Sequence, residues 1–275
     1  MPEASTAMVD DAKTTDITRN AVVLAGGKGT RLAPFTSILP KPLMPIGDKA
    51  VLEIIIDQLA AHRFLEITLC VGHLAHLIRS VVDDRINGRI SVQYVHEARA
   101  LGTAGPLRSI QNLEQTFIAM NGDVLTTLDY RDLLRAHQEC GNALTIATTA
   151  RTTKMDYGVL HLDGSVHPTV RRVTAYEEKP ESVAMVSMGI YALEPRVIEY
   201  IPENEYFDFP NLVQALLSEG EKVGSYVYDG AWFDIGRHDD YEVAADAWTS
   251  MSPNGAVDAD GARRGLPLSA VEPRA

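Results

Sequence analysis

Three glycines and two cationic residues stand together directly after a short apolar run. The run, Ala21 to Ala25, is typical of a buried strand, and it ends in the sequence GGKGTR from Gly26 to Arg31. Because glycines lack a Cβ atom, backbone N–H groups in such a loop can converge on an anion, and Lys28 and Arg31 add positive charge. The spacing predicts a phosphate-binding loop; the alternative is a tight turn that binds nothing.

Two common phosphate-binding loops do not fit this spacing. A dinucleotide-binding fingerprint would need another glycine where Leu32 stands. A P-loop would need Ser or Thr after a Gly-Lys pair, but Gly29 follows Gly27 and Lys28. The loop is therefore predicted to hold phosphates in a different way.

Lys41 and Asp123 are further candidates for chemistry. Lys41 stands between Pro40 and Pro42, and prolines at this density exclude a helix and predict a stiff extended segment that presents the ammonium group. Asp123 follows the predicted strand Thr116 to Met120, and ligands of open α/β sheets bind at the carboxyl ends of strands. The alternatives are a solvated loop lysine and a turn aspartate that caps the next element.

Composition and charge exclude several classes of protein. The chain has 275 residues, with 25 Lys and Arg against 37 Asp and Glu, so its net charge of −12 argues against nucleic acid or an anionic membrane as a partner. The two cysteines, Cys70 and Cys140, are predicted to be reduced thiols. No apolar stretch reaches membrane-spanning length and the N-terminus does not resemble a signal peptide, so we expect a cytoplasmic protein.

Periodicity and turn residues predict an α/β domain over residues 20–249, with flexible tails at 1–19 and 250–275. A hairpin, Tyr157 to Leu162 with Val170 to Tyr176, interrupts the alternation of strands and helices. Helices are predicted at Val51 to Ala61, from Leu74, at Leu107 to Leu113, at Asp129 to Cys140, and from about Pro195, Phe209 and Asp239. Strands are predicted at Ala21 to Ala25, Ile67 to Val71, Ser91 to Val95, Thr116 to Met120, Ala143 to Thr149, Met185 to Leu193 and Val223 to Tyr228.

Eight short motifs in this order resemble the sugar-1-phosphate nucleotidyltransferases over Asn20 to Thr249. The motifs are LAGGKGTRL (24–32), PKPLMPIG (40–47), LGTAGPL (101–107), NGD (121–123), YGVL (157–160), EEKP (177–180), MGIY (188–191) and WFDIG (232–236). LGTAGPL is most similar to the version in mannose-1-phosphate guanylyltransferases. The resemblance implies a Rossmann-like three-layer α/β/α nucleotidyltransferase fold with a mixed, mostly parallel central sheet and a small hairpin insertion.

The resemblance also implies the reaction of an NTP with a sugar 1-phosphate to give an NDP-sugar and pyrophosphate. A phosphate monoester is mostly dianionic at neutral pH, since its second pKa is about 6, so the nucleophile needs no general base. The obstacle is the meeting of two anions, which the enzyme must neutralise and align. The implied catalytic residues are Arg31 on the triphosphate, Lys41 near the reacting phosphates, Lys179 on the sugar phosphate, and Asp123.

Asp123 and Asp234 are the implied ligands of Mg²⁺ (or Mn²⁺), an ion that binds through one or two carboxylates together with substrate phosphates. The implied nucleotide-binding residues are Leu24, Ala25, Gly26, Gly27, Gly29, Thr30, Arg31, Glu97, Gly102 and Thr103. A carboxylate only accepts hydrogen bonds, and guanine offers adjacent N1–H and N2–H donors, so Glu97 favours GTP. Alternatively, Glu97 points into solvent and the backbone of Gly102 and Thr103 reads the base.

The implied sugar-binding residues are Gly158, Glu178, Lys179 and Ser187. Many relatives have Asn where Ser187 stands, so the sugar can be a hexose or a sugar-like cyclitol phosphate. The same reaction with another NTP, or a non-catalytic regulatory or nucleotide-binding homologue, are the alternative functions. The sequence leaves homo-oligomerisation open.

Overall fold

The structure is a computed structural model that describes residues 19–84, 88, 90–164 and 169–251; the predicted tails fall almost entirely outside these ranges. The α-helices are α1 Val51–Ala61, α2 Ala75–Asp83, α3 Tyr130–Cys140, α4 Phe209–Ser218 and α5 His238–Met251. The strands are β1 Arg19–Ala25, β2 Pro45–Ile46, β3 Lys49–Ala50, β4 Phe64–Val71, β5 Ser91–His96, β6 Phe117–Asn121, β7 Val124–Thr126, β8 Leu144–Lys154, β9 Val159–Leu162, β10 Val173–Glu177, β11 Glu181–Leu193, β12 Val223–Val227 and β13 Trp232–Asp234.

Seven of these strands form the central sheet, in the order β12-β8-β11-β6-β1-β4-β5. Strand β1 pairs in parallel with β4 and β6, and β11 runs antiparallel to both of its neighbours, β6 and β8. The other pairs, β4 with β5 and β8 with β12, are parallel. The sheet is therefore mixed and mostly parallel, and β1, next to the central strand β6, carries its carboxyl end to the same edge as β6.

Apolar residues on both faces of β1 divide the core into two halves. Ala21, Val23 and Ala25 pack with residues of α1, α2 and α3, whereas Val22 packs on the opposite face with residues of α4. A central parallel strand buried on both faces reads as a continuous apolar run, as the sequence does here. The three-layer α/β/α prediction is confirmed. No helix in the described residues combines the length and apolarity needed to cross a bilayer.

Helix α3 shows how local sequence determines the elements. The side chain of Asp129 accepts a hydrogen bond from the backbone N–H of Arg131 at the first turn, and Gly141 ends the helix in the left-handed conformation. Tyr130, Leu133, Leu134 and His137 form its buried stripe. The predicted helix over Asp129 to Cys140 is correct because its start, stripe and end are all encoded locally.

A two-part projection, which we call the arm (the described residues from 149 to 187), leaves the sheet. Strands β8 and β11 continue as a pair to Lys154 and Glu181, whose side chains form an exposed ion pair at 3.0 Å. Strands β9 and β10 form a separate antiparallel pair, which confirms the predicted hairpin. Because β11 makes an irregularity between Ser187 and Tyr191, its outer part pairs only with β8.

Four local predictions are wrong. The helix predicted from about Pro195 is only a short 3₁₀ helix, Pro195–Tyr200. Residues Leu107 to Leu113 are not an α-helix; a 3₁₀ helix at Gly105–Ser109 replaces its first part, because the preceding loop is hydrogen-bonded to Phe207. Lys41 does not lie in an extended segment but begins a 3₁₀ turn, Lys41–Leu43, which tolerates a proline near its start. Strands β8 and β11 extend past their predicted ends at residues 149 and 185, since their outer residues pair with each other.

Candidate active site

The glycine loop leaves β1 and passes beneath the side chain of Glu97. A Cβ atom at Gly26 would overlap Oε1 of Glu97 and lie 3.0 Å from its Cδ, whereas a Cβ atom at Gly27 would meet nothing within 4 Å. Gly29 has a φ of 61°, and its carbonyl accepts a hydrogen bond of 2.8 Å from the hydroxyl of Thr36. Glycine at position 26 thus leaves room for the Glu97 carboxylate, and glycine at position 29 suits the left-handed backbone conformation.

Glu97 is held at the carboxyl end of β5. Its backbone N–H donates to the carbonyl of Val71 at 2.8 Å, and Oε2 of its side chain accepts the N–H of Leu101 at 3.3 Å. Burial raises the pKa of this carboxyl group, while the Leu101 N–H and nearby His96 oppose the rise. The carboxylate therefore lies over the glycine loop rather than in open solvent.

Lys41 and Asp123 are in direct contact. The ammonium group of Lys41 donates to Oδ2 of Asp123, and the exposed fractions of the two side chains are only 11% and 20%. The turn that carries Asp123 is attached to β1 because the N–H of Gly122 donates to the carbonyl of Leu24 at 2.9 Å. A Cβ atom at Gly29 would lie 3.1 Å from Cβ of Lys41, so this ion pair adjoins the glycine loop.

Asp234 comes to the same place from the other end of the chain. Strand β13 pairs antiparallel with β7, which sets Asp234 opposite Val124, and the N–H of Ile235 donates to the backbone carbonyl of Asp123 at 3.1 Å. Burial raises the pKa of Asp234, and the Asp123 carboxylate raises it further. Lys41 and Arg31 oppose the rise. These charges act on one another, so Asp123 and Asp234 form an acidic pair beside two cations.

Asp123 has an oxygen suited to a cation. Its Oδ1 is buried and has no hydrogen-bond partner within the described part of the chain. An unpaired buried carboxylate oxygen is costly unless a donor or metal satisfies it. Together with Asp234, this oxygen fits a hard divalent ion such as Mg²⁺, which prefers carboxylate oxygens.

Gly102 and Thr103 lie in the LGTAGPL loop (Leu101–Leu107). Gly102 has a φ of 82°, and a Cβ atom there would lie 2.6 Å from the carbonyl oxygen of Phe207. The backbone N–H and the hydroxyl of Thr103 both donate to Oδ1 of Asp208, at 2.7 and 3.0 Å. In this structure Thr103 is thus turned toward Asp208.

The four predicted sugar residues lie on or at the base of the arm. Tyr176 joins two of them: its hydroxyl donates to Oε2 of Glu178 at 2.5 Å, and a Cβ atom at Gly158 would overlap that hydroxyl. Lys179 is exposed, and the hydroxyl of Ser187 accepts the N–H of Gly189 at 3.2 Å. No hydrogen bond or ion pair between described residues joins these four to Lys41, Asp123 or Asp234.

A family model described as nucleotidyl transferase matches residues 20–250, and these residues contain all of this geometry. The chain belongs to the nucleotidyl transferase family. A UTP–glucose-1-phosphate uridylyltransferase from Synechocystis is 34% identical to it over an alignment of 241 residues, and the match covers 80% of this chain and 61% of that protein. A mannose-1-phosphate guanyltransferase from Aspergillus fumigatus is 29% identical over an alignment of 230 residues, and the match covers 80% of this chain and 62% of that protein.

Solved structures agree with the fold of this nucleotidyl transferase. The crystal structure of HddC from Yersinia pseudotuberculosis has a TM-score of 0.63 and 26% identity, and the match covers 84% of this chain and 99% of that one. The resemblance to sugar-1-phosphate nucleotidyltransferases is therefore confirmed at the level of the family. The chain spans a little over three fifths of the length of the two curated relatives, 61% and 62%.

Sequence reasoning missed two residues that hold the LGTAGPL loop, Phe207 and Asp208. The available signal was the predicted start of a helix near Phe209, which makes Asp208 a candidate for its capping residue. That signal is local, and it does not reveal that Asp208 accepts hydrogen bonds from a residue 105 positions earlier.

Proposed function

We propose that this protein transfers a nucleoside monophosphate from an NTP, most favourably GTP, to a sugar 1-phosphate, with release of pyrophosphate. The observation that carries the proposal is the meeting of Lys41, Asp123 and Asp234 beside the glycine loop, at the carboxyl ends of β1 and β6. Cations and paired carboxylates next to a phosphate-binding loop suit phosphoryl-type transfer, in which positioning and charge neutralisation do most of the catalysis.

Each of the three cationic side chains is assigned to a different phosphate group of the substrates. Arg31 follows the loop on an exposed 3₁₀ turn, Thr30–Leu32, where its guanidinium can reach the β and γ phosphates of the NTP. Lys41 is close enough to the loop to neutralise charge that develops at the α phosphate. Lys179, exposed on the arm, is assigned to the phosphate of the sugar, whose dianion attacks the α phosphorus without a general base.

Asp123 and Asp234 are assigned to Mg²⁺ or Mn²⁺. When bound, the ion would neutralise phosphate oxygens and hold them in position for in-line attack. The buried, unpartnered Oδ1 of Asp123 is the atom that supports this assignment. Burial raises the pKa of Asp234, and repulsion between its negative charge and that of Asp123 raises it further, so a bound divalent ion would offset that repulsion.

The Glu97 carboxylate favours a nucleobase that has a ring N–H donor. Guanine has N1–H beside N2–H, and uracil has N3–H, whereas the corresponding ring positions of adenine and cytosine are acceptors. Guanine can donate both of its adjacent N–H groups to one carboxylate, so we place GTP first. UTP is the second candidate, since the Synechocystis relative that is 34% identical is named a uridylyltransferase.

Gly158, Glu178, Lys179 and Ser187 are assigned to the sugar 1-phosphate. The hydrogen bond from Tyr176 fixes the Glu178 carboxylate, which we assign to accept hydrogen bonds from hydroxyl groups of the sugar. Gly158 leaves room for the Tyr176 hydroxyl. Ser187 is short, so it can accommodate a hexose or a sugar-like cyclitol.

A panel of substrates tests this function. The purified chain is incubated with each NTP, a set of hexose and cyclitol 1-phosphates and Mg²⁺, and both pyrophosphate and the nucleotide-sugar mass are measured. We expect product with GTP or UTP and none with the Asp123→Asn variant. If the chain binds NTP but forms no product with any pair, it is a nucleotide-binding homologue and the proposal fails.

A further inference from the structure

The LGTAGPL loop is attached by its backbone to the segment before α4. The N–H of Phe207 donates to the carbonyl of Leu101 at 2.9 Å, and the carbonyl of Phe207 accepts the N–H groups of Ala104 and Gly105 at 2.9 and 2.8 Å. The loop, which on the proposed function contacts the nucleobase, thus takes its shape from residues about a hundred positions away.

Asp208 adds side-chain bonds at the centre of this attachment. One oxygen, Oδ1, accepts both the N–H and the hydroxyl of Thr103, and the Thr103 hydroxyl in turn accepts the N–H of Phe209 at 3.0 Å. The other oxygen accepts the hydroxyl of Tyr206 at 2.7 Å. Burial would raise the pKa of Asp208, but the hydrogen bonds from Tyr206 and Thr103 outweigh it and keep the pKa below its usual value. The acceptor is therefore a carboxylate at neutral pH.

The helix that follows Asp208 is packed against the core. Phe209 is buried, and its ring stacks on Tyr191 of β11 with centroids 3.7 Å apart and planes 4° from parallel. A side chain fixed on a packed element can hold a loop more closely than a residue of the loop itself. At the other end of the attachment, the N–H of Leu101 donates to Glu97, so the loop also orients that carboxylate.

We propose that Asp208 is a positioning residue for nucleotide selection: by fixing Thr103 it sets the LGTAGPL loop, and through Leu101 it orients Glu97 above Gly26. The inference rests on the proposed function of Glu97 and the loop as the base-binding side of the site. On this inference Thr103 donates no hydrogen bond to the nucleobase, because its N–H and its hydroxyl both donate to Asp208. The competing role for Asp208 is purely structural, as the residue before α4, where its own N–H donates to Asn211 at 3.1 Å.

Four variants of the full chain separate the two roles. Asp208→Ala removes the acceptor for Thr103, and Asp208→Asn keeps a neutral acceptor of the same shape. Thr103→Val removes the hydroxyl with little change in volume. Asn211→Ala is the matched control, since it removes a hydrogen bond at the start of α4 without touching the LGTAGPL loop. Each is measured for NTP dissociation constants by calorimetry with GTP, UTP and ATP, for kcat and KM, and for thermal stability.

We expect Asp208→Ala to raise the dissociation constant for the preferred NTP by about tenfold and to reduce the preference over ATP, with kcat within about threefold of wild type. Asp208→Asn should recover most of the affinity. When Thr103→Val is introduced into Asp208→Ala, the double variant should bind NTP about as well as Asp208→Ala, because the two residues share one interaction. Asn211→Ala should lower thermal stability alone.

Equal affinity and selectivity in Asp208→Ala and wild type would overturn the inference, as would an Asp208→Asn variant no better than Asp208→Ala. Should Asp208→Ala fail to fold, Asp208→Ser replaces it, because the serine hydroxyl keeps a capping group before α4 but shortens the reach to Thr103; unchanged affinity and selectivity there would also refute the inference. A wild-type chain that binds NTP but does not turn over refutes the proposed transfer reaction and leaves the calorimetric test intact. A chain that binds no NTP overturns both.

Discussion

Replacing Lys41 by methionine is expected to change metal affinity and turnover in opposite directions. In the structure the Lys41 ammonium donates to Oδ2 of Asp123, while Oδ1 of the same carboxylate is buried and has no partner among the described residues. A divalent ion that binds Asp123 in the absence of nucleotide must therefore displace or repel Lys41. Methionine keeps much of the side-chain length and removes this competitor.

The size of the effect follows from the contact that is lost. A hydrogen bond to a charged group contributes about 1.5 to 3 kcal/mol. At about 1.4 kcal/mol for each factor of ten, Lys41→Met should bind Mn²⁺ about 10- to 100-fold more tightly than wild type without nucleotide. With substrates present, the variant lacks a cation beside the reacting phosphates, so kcat should fall by about 10² to 10³.

The assay is a Mn²⁺ titration followed by electron paramagnetic resonance, together with pyrophosphate release. Lys28→Met is the matched control, because Lys28 is an exposed lysine of the nearby glycine loop and its loss changes the net charge equally. The control should leave Mn²⁺ affinity close to wild type. Weaker or unchanged Mn²⁺ binding by Lys41→Met, or an equal gain in the control, would refute the competition between Lys41 and the metal.

Three further predictions concern the base side of the site and a buried histidine. Glu97→Gln should erode the preference for GTP over ATP, because an amide also donates; an unchanged ratio of kcat/KM values would show that Glu97 does not contact the base. Gly26→Ala should erode the same ratio, since its Cβ atom would push the Glu97 carboxylate aside, whereas Gly27→Ala, which meets nothing within 4 Å, should preserve it. Equal ratios in the two alanine variants would contradict this steric argument. Burial lowers the pKa of His137, so the unfolded chain takes up a proton that the folded chain resists, and stability should decline as the pH falls below about 6.5. Urea unfolding at several pH values should show a smaller decline in His137→Gln, and an equal decline would exclude His137 as a source.

Local patterns were sufficient for much of the fold. The helix α1 follows from apolar periodicity and the strand β1 from a continuous apolar run, and α3 also carries its own start and end signals in Asp129 and Gly141. The predicted helix at Leu107 to Leu113 fails because the chain before it is bound to Phe207. A helical pattern cannot reveal a competing hydrogen-bond partner that is distant in sequence.

At the candidate site, too, some features follow from local sequence and others only from the tertiary structure. The sequence by itself determined the family, through eight ordered motifs, and the residue types that meet at the candidate site: glycines, cations and carboxylates. Only the tertiary structure decided that Lys41 contacts Asp123, 82 positions away, and that Thr103 is held by Asp208, 105 positions away. The physical reason is that both contacts depend on which strands and loops become neighbours, and this depends on the packing of the whole sheet rather than on any local pattern.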